Sequence, residues 1–347
     1  MIPLDAILLS LLVIIAAAIC AAKSLMASII IYSAYSVVKT IVWILLAAPD
    51  LAITEAAVST GISSILYFIV LKRVLVVRKE HTSLHDTLYA PAAKKPDLYR
   101  RCYNVMCVCV TAGIGGVMMY TVSALPPFGD PSNPTNNEVP RKFLEDSIQD
   151  SGALNAVASM LFEYRAFDTL AEAAVLITAI CAVLILLRND GPLNSFHAFA
   201  REAAEVKQDI ILKNMSFLLV GMVLVFGVYI ILNGHLTPGG GFSGGAIVGA
   251  ALVLFVSVFG TSHACRFLNY IVCCRILSVS LLFYIVVKGF SFFTGANNIP
   301  FKLLPTGTPG SLFSGGLILP LNSAVGLIVA CSMYMVFILF GREGVLK

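Results

Sequence analysis

The chain has 347 residues, of which 59% are hydrophobic and 12% charged, and its mean hydropathy is +0.91. Soluble proteins carry about 25% charged residues, so this composition excludes a soluble globular domain and predicts an all-α polytopic membrane protein. The net charge of +4 does not indicate nucleic-acid binding, because the positive residues fall in particular loops. The nine cysteines form no CxxC pair, and we interpret them as small packing residues rather than metal ligands.

Nine apolar runs reach the length of about 20 residues that a membrane-spanning helix needs. We predict spans at residues 4–22, 25–48, 51–77, 102–124, 166–187, 214–233, 242–261, 267–290 and 317–340. The first run lacks a preceding basic region and a small-residue cleavage pattern, so we expect a retained helix and not a removed signal. With the N-terminus outside, most Lys and Arg residues fall in cytoplasmic loops. The sequence therefore predicts an N-out, C-in topology.

Two long loops and one polar segment interrupt the spans. Residues 80–101 form a polar cytoplasmic loop in this topology. The outer loop at 125–165 begins with a run rich in Pro and Asn, which predicts irregular structure, and its second half, 143–164, has helical spacing that predicts a helix along the surface. Residues 193–213 are predicted to form a cytoplasmic amphipathic helix that lies on the membrane or on a partner.

The stretch 233–245, N-G-H-L-T-P-G-G-G-F-S-G-G, lies between two apolar runs. Proline ends helices and glycine permits unusual backbone dihedrals. Irregular backbone at membrane depth survives only where protein or a water-filled cavity covers it. Two interpretations stay open: an ion or proton route beside His235, or a re-entrant connector with an interfacial histidine. The residues expected to shape the helix break are Pro238, Gly239, Gly240, Gly241, Gly244 and Gly245.

An internal echo of this stretch occurs later in the chain. T-P-G-G-G-F-S-G-G at 237–245 returns as T-P-G-S-L-F-S-G-G at 308–316, with seven of nine positions identical. Each copy precedes an apolar run, which predicts a parallel repeat of two helical hairpins in the C-terminal third. Transporters often place their sites at repeat interfaces. Thr306 stands where the first copy has His235, so only the first copy is expected to exchange protons.

Four of the charged residues within or at the start of predicted spans are candidates for ion transport. A charge at a helix centre costs about 2.5–3.5 kcal/mol even on lenient scales, so function or pairing is expected. Lys39 and Glu55 lie roughly 15 and 9 Å from the turn that joins their helices, at about 1.5 Å per residue, which predicts an ion pair. Asp168 and Glu172 share one helix face. Asp168 also suits a helix cap or a surface pair with Arg165.

Two further cations lie close to predicted helix ends. Lys288 and Arg165 are expected to extend their charged groups to the membrane surface, and neither is predicted to carry ions. We find no phosphate-binding loop, flavin, haem or iron–sulfur motif and no hydrolase pattern in the sequence. We therefore predict no catalytic chemistry, no resident cofactor and no metal site in this chain.

Three motifs resemble families of multisubunit membrane complexes. Residues 234–245 resemble the signature of the MnhB family, which supplies one of the small membrane proteins of Mrp-type Na⁺/H⁺ antiporters. Residues 150–172 resemble the MbhE-type domain, with Ala171 in place of the family glycine, and residues 49–64 resemble the MbhD-type domain. The expected domains are MbhD-like over 1–95, MbhE-like over 96–200 and MnhB-like over 201–347. Related domains occur in energy-converting hydrogenases, and the family is similar to a small membrane subunit of respiratory complex I.

The resemblance implies a noncatalytic subunit of an Mrp-like antiport module in the cell (inner) membrane, with other subunits and the lipid bilayer as partners. Na⁺ and H⁺ are then the transported ions, and our hypothesis is that Glu55 and Glu172 hold them in turn, with Asp168 nearby. Lys39 is a candidate from its place in a predicted span and not from the resemblance, and it would tune the ion affinity of the acids. His235 is expected to exchange protons with an outer water-filled funnel, since imidazole titrates near neutral pH. Two alternatives stay open: the same module in a redox-driven complex, or a structural scaffold whose charges only hold helices together.

Overall fold

The computed structural model describes residues 4–71, 97–127, 129–186, 210–297 and 303–341, and every regular element in these ranges is a helix. In chain order the helices are α1 (Leu4–Ala21), α2 (Leu25–Leu45), α3 (Pro49–Leu71), α4 (Asp97–Ser123), α5 (Glu138–Glu145), α6 (Ser147–Ser151), α7 (Ala156–Ser159), α8 (Ala166–Leu186), α9 (Ile210–Leu232), α10 (Gly241–Phe259), α11 (Thr261–Phe267), α12 (Tyr270–Ala296) and α13 (Ile318–Gly341).

Nine of these described helices, all except α5, α6, α7 and α11, are long and apolar enough to cross a membrane. This confirms the predicted all-α polytopic architecture, because the nine helices coincide with the nine predicted spans. The predicted amphipathic helix at 193–213 lies outside the described residues except for its last four positions, which begin α9. Most of the loops that carry the Lys and Arg bias also lie outside them, so the N-out topology stays a prediction.

Local sequence signals build the hairpin of α2 and α3. The Ser24 hydroxyl accepts a hydrogen bond from the Ala27 N–H at 3.2 Å and caps α2, as serine does at helix N-termini. The chain turns at Ala47, whose φ is 54°, and resumes at Pro49, the first residue of α3. Proline suits this position because its missing N–H would have no helical partner there. After two α-helical turns, α3 becomes π-helical over Ala56–Ser63.

The chain divides into two compact units, one formed by Met1–Val74 with Phe143–Lys347 and the other by Leu75–Lys142. In the first unit, α10 packs against α9, α13 and the π-helical part of α3. Its core includes fully buried aliphatic residues of α13, namely Leu321, Val325, Ile328 and Val329. The second unit contains α4, whose residues from Arg101 onward are exposed. The two units are defined by packing, whereas the predicted domains are defined by sequence motifs. The predicted domain limits therefore stay a prediction.

The predicted surface helix at 143–164 is wrong. This segment is divided among the end of α5, α6, α7 and a π-helical turn at Met160–Tyr164. Gly152, with φ 76°, ends α6, and the Asn155 side chain caps α7, so a Gly C-cap and an Asn N-cap interrupt the helical run. Ala153 and Phe162 are buried in the core of the first unit. The segment therefore lies partly inside the protein.

Candidate functional site

The predicted helix break is a connector of residues 233–240 between α9 and α10. Gly239 and Gly240 have φ values of 126° and 138°, which L side chains rarely adopt. Pro238 precedes them in the connector. The break is therefore shorter than predicted and ends before Gly241.

The prediction that Gly241, Gly244 and Gly245 belong to the break is wrong, because all three lie within α10. A Cβ added at Gly241 would meet the Asn322 carbonyl oxygen at 2.5 Å, and one at Gly245 would meet the Gly326 carbonyl oxygen at 2.6 Å. At Gly244 an added Cβ would meet α9 instead, with Ile231 Cγ1 at 2.6 Å. These glycines allow α10 to approach both neighbours closely, as small residues do in membrane helix packing.

Two side chains from other helices cap the start of α10. Its N-cap residue, Gly240, has no side chain to accept a hydrogen bond from the first turn. Asn322 Oδ1 accepts from the Gly241 N–H at 2.9 Å, and Asp50 Oδ1 accepts from the Gly239 N–H at 2.6 Å. A carboxylate is favourable at this end because the helix dipole is positive there. α3 and α13 thus hold the connector from two sides.

Asn155 holds the connector from a third direction. Its backbone N–H donates to the His235 carbonyl at 3.0 Å. Its side-chain Nδ2 donates to the carbonyl oxygens of Gly234 and Thr237, each at 3.1 Å. One residue therefore donates hydrogen bonds to three backbone carbonyl groups of an irregular segment. Irregular backbone at membrane depth needs such partners from the surrounding protein.

His235 is fully buried, with 0% exposure. Its Nε2 lies 3.3 Å from the Ser311 carbonyl oxygen, and a carbonyl only accepts hydrogen bonds, so this contact assigns the proton to Nε2. Nδ1 is then a lone-pair acceptor, and it has no partner among the described residues. The ring lies against Gly315, where an added Cβ would be 3.4 Å from His235 Cδ2. The described part of the chain therefore shields His235 from solvent, and both the proton route and the interfacial position of this histidine stay predictions.

His235 lies two residues before the first copy of the internal echo and contacts the second copy, to which Ser311 and Gly315 belong. A helix is associated with each copy. Their backbones differ, because α10 begins within the first copy at Gly241, whereas α13 begins at Ile318, after the second copy has ended. The parallel repeat of hairpins stays a prediction.

The predicted ion pair between Lys39 and Glu55 is present. Lys39 Nζ lies 3.1 Å from Glu55 Oε2, and the two side chains are 38% and 13% exposed. Both residues belong to membrane-spanning helices, α2 and α3. Glu55 immediately precedes the π-helical part of α3. A charged pair is thus held between adjacent helices of one hairpin.

The two acids of α8 have different surroundings. Asp168 is paired with Arg165 at 2.5 Å, and both side chains are about half exposed, as the alternative interpretation of a surface pair predicts. Glu172, one turn later, is exposed and makes no ion pair with any described residue. Within the described ranges no ion pair or hydrogen bond joins Glu172 or His235 to the Lys39–Glu55 pair. Of the residues expected to carry ions, the structure therefore joins only Lys39 and Glu55.

The prediction that Lys288 extends to the membrane surface is wrong. Lys288 lies within α12, is 4% exposed, and its Nζ donates to Glu163 Oε2 at 2.9 Å. Glu163 belongs to the π-helical turn Met160–Tyr164, and its side chain is 43% exposed. Sequence analysis missed this pair because Glu163 lies outside every predicted span.

Three other residues of the site were also missed. Asp50 and Asn155 lie inside the motifs at 49–64 and 150–172. Within these motifs, only acids in predicted spans were predicted to be functional. Asn322 is a polar residue in the apolar run of α13, with 0% exposure. A buried amide in an apolar run needs a hydrogen-bond partner. The position of Asn322 in the sequence therefore already indicated a contact with another polar group.

Comparison with known families supports the sequence motifs. The chain matches the model of a "Domain related to MnhB subunit of Na+/H+ antiporter" over residues 211–335. It matches the MbhD model, which describes the D subunit of MBH, over 10–75. It matches the MbhE model, which describes the E subunit of MBH, over 99–202. The three matches follow one another in the order that the motifs predicted.

Two known proteins align with different fractions of this chain. It is 29% identical over 208 residues to an uncharacterized protein of Methanocaldococcus jannaschii, covering 55% of this chain and 79% of that protein. It is 27% identical over 259 residues to a Rhizobium meliloti protein named as the probable A/B subunit of a K⁺/H⁺ antiporter, covering 68% of this chain and 24% of that protein. The chain therefore spans only about a quarter of the Rhizobium protein.

Two solved structures share its fold. A chain of the Mrp complex from Dietzia sp. matches with a TM-score of 0.67 and 21% identity, covering 97% of this chain and 35% of that one. A chain of the membrane-bound sulfane sulfur reductase, an archaeal respiratory membrane complex, matches with a TM-score of 0.55 and 24% identity, covering 70% of this chain and 99% of that one.

Proposed function

Because this chain unites MbhD-, MbhE- and MnhB-type domains and so belongs to the Mrp-like group of membrane subunits, we propose that it is an ion-translocating subunit of a multisubunit cation/H⁺ antiporter in the cell membrane. Na⁺ and H⁺ are the transported ions. The chain itself carries no catalytic chemistry in this proposal. Its partners are the other subunits of the complex, which the related Mrp assembly suggests.

The observation that carries the proposal is the Lys39–Glu55 ion pair, 3.1 Å long and located within two membrane-spanning helices. A charged group in hydrocarbon surroundings is costly unless it is paired. When Na⁺ or H⁺ neutralises Glu55, Lys39 loses its counter-charge and its ammonium becomes available to another carboxylate. The pair therefore acts as a switch whose two states differ in affinity for the transported ion.

Glu172 is the second acid in this mechanism. It lies in the first half of α8 without an ion-pair partner among the described residues, and it is exposed on this chain. A lone carboxylate on a membrane-spanning helix is expected to face a polar cavity or another subunit. We infer that Glu172 exchanges Na⁺ and H⁺ at the boundary with a partner subunit. Asp168 lies one turn away and is held by Arg165.

His235 serves as a proton acceptor in the proposal. Its Nδ1 is the free acceptor, because Nε2 faces the Ser311 carbonyl. A buried lone pair without a partner is costly, so Nδ1 is the ring atom at which a water molecule or an arriving proton would bind. The connector held by Asp50, Asn155 and Asn322 keeps this atom in place. Access for the proton requires a partner subunit or a movement of the second echo copy.

The test is Na⁺-driven proton transport in everted membrane vesicles that contain the assembled complex. Glu172→Gln is expected to abolish transport and leave assembly intact, since no ion pair within the described chain depends on this carboxylate. Glu138→Gln, at an exposed acid outside the spans, is the matched control and is expected to transport normally. Full transport by Glu172→Gln would refute the role of this acid. The same assay with K⁺ decides which cation is carried.

A second candidate function places the same module in a redox-driven complex. The match to nearly the whole of a chain from a respiratory complex and the matches to the MbhD and MbhE models support it. Gentle purification from native membranes distinguishes the candidates, because antiporter subunits alone indicate a secondary exchanger and iron–sulfur subunits indicate a redox machine. The scaffold alternative predicts that neutralising Glu55 or Glu172 prevents assembly.

A further inference from the structure

A large apolar groove lies on the surface of the first unit, and none of the charged residues of the site lines it. Its cavity volume is about 920 Å³. Four helices contribute to its walls, and the residues that define it are Phe217, Gly221 and Tyr229 of α9, Phe255 of α10, Phe267 of α11 and Tyr334 of α13. The mechanism proposed above uses none of these residues.

The length of the groove matches one leaflet of a bilayer. Helix α9 lines it from Phe217 to Tyr229, a rise of about 18 Å at 1.5 Å per residue. The hydrocarbon core of a bilayer is about 30 Å thick, so one leaflet contributes about 15 Å. A partner helix that crosses the membrane would need a groove about twice as long. The dimensions therefore suit a lipid acyl chain better than a spanning helix.

Two cations stand at one end of the groove. Lys213 precedes Phe217 by four residues and so shares its face of α9, and it begins the membrane span Lys213–Leu232. Arg266 is adjacent to Phe267 in α11. Both cations are exposed, and neither forms an ion pair with any residue in the described ranges. Positive charge therefore lies beside Phe217 and Phe267, where the candidate span Lys213–Leu232 begins.

We propose that this groove binds an anionic phospholipid, with an acyl chain along α9 and the phosphate at Lys213 and Arg266. Basic residues at the end of a cleft between membrane helices favour acidic lipid headgroups. Apolar walls of this extent gain stability when hydrocarbon fills them, because dispersion contacts replace an open surface. Charge complementarity and length together select a lipid as the occupant.

A groove-filling substitution tests the proposal. A Cβ added at Gly221 meets no atom within 4 Å, so the side chain of Gly221→Leu would begin in open space on the wall of the groove. Gly289 of α12 is equally open and does not line the groove, which makes Gly289→Leu a matched control. Both changes replace an exposed helical glycine, so their effects on helix propensity are alike.

The measurement is native mass spectrometry of the intact complex from native membranes, with quantification of extracted lipids. We expect Gly221→Leu to retain one anionic phospholipid fewer per complex than the wild type, and Gly289→Leu to retain the same number. The double variant Lys213→Gln with Arg266→Gln, at two surface positions that leave the helices intact, is expected to lose the same lipid. It keeps the test informative if Gly221→Leu fails to assemble.

Three outcomes would overturn the proposal. The first is unchanged lipid content in both the Gly221→Leu and the Lys213/Arg266 variants. The second is a bound lipid that is zwitterionic and insensitive to loss of the two cations. The third is an efficient cross-link from Gly221→Cys to another subunit in the native complex, which would show that protein covers the groove.

Discussion

The Lys288–Glu163 pair predicts an unequal response to the removal of its two charges. The Lys288 side chain is 5% exposed, whereas that of Glu163 is 43% exposed. Removal of Glu163 leaves a buried ammonium with neither water nor a counter-charge. Removal of Lys288 leaves a carboxylate that water already reaches. The order of stability among the variants therefore follows from burial and not from the ion-pair distance.

The expected magnitudes follow from the two environments. Glu163→Gln is expected to cost about 3–5 kcal/mol, the range for a buried pair that loses one partner. Lys288→Met keeps the apolar stem in place and is expected to cost about 0–1 kcal/mol, the range for an exposed pair. The double variant buries no unpaired charge, so it should recover most of the loss seen in Glu163→Gln.

The assay is the midpoint of thermal denaturation of the purified complex, followed by size-exclusion chromatography after heating. Asp168→Asn breaks the exposed pair with Arg165 and serves as a control, with an expected cost of about 0–1 kcal/mol. Equal midpoints for the two single variants of the buried pair would refute the reasoning. A double variant less stable than Glu163→Gln would refute it as well.

Two further predictions concern packing and pH. Gly245→Ala should destabilise the protein by about 1–3 kcal/mol, the usual cost of overpacking, because the new Cβ would lie 2.6 Å from the Gly326 carbonyl oxygen. Gly249→Ala should cost less, because the nearest atom to its new Cβ is Met333 Cβ at 3.0 Å, which requires a smaller shift. Denaturation midpoints compare the two variants, and equal losses would contradict the packing argument. Burial and the hydrogen bond to Asp150 raise the pKa of Tyr164, so its contribution to stability is complete below the ordinary tyrosine pKa of about 10 and is lost as pH rises beyond it. Tyr164→Phe should flatten this alkaline decline in midpoint, and an unchanged decline would argue against it.

Hydropathy alone located the membrane helices. About 20 apolar residues are needed to cross the bilayer, and all nine predicted spans coincide with described helices. The Lys39–Glu55 pair was also predictable, because a tight turn at Pro49 places residues of α2 and α3 at similar depths. Both features depend only on the number of residues between two positions, which can be counted in the sequence.

The environment of each polar residue was decided only by tertiary packing. Hydropathy shows that Lys288 enters the membrane region, but the choice between surface and interior depends on which helix covers α12. Gly241 and Gly245 were assigned to a helix break because glycine is permissive, and only the close approach of α13 reveals their role in packing. Asp50, Asn155 and Asn322 meet at one connector although they are far apart in sequence. The amino-acid sequence specifies which residues are removed from water. The residues that they contact in the folded protein depend on side-chain shape and on contacts between helices that are far apart in the sequence.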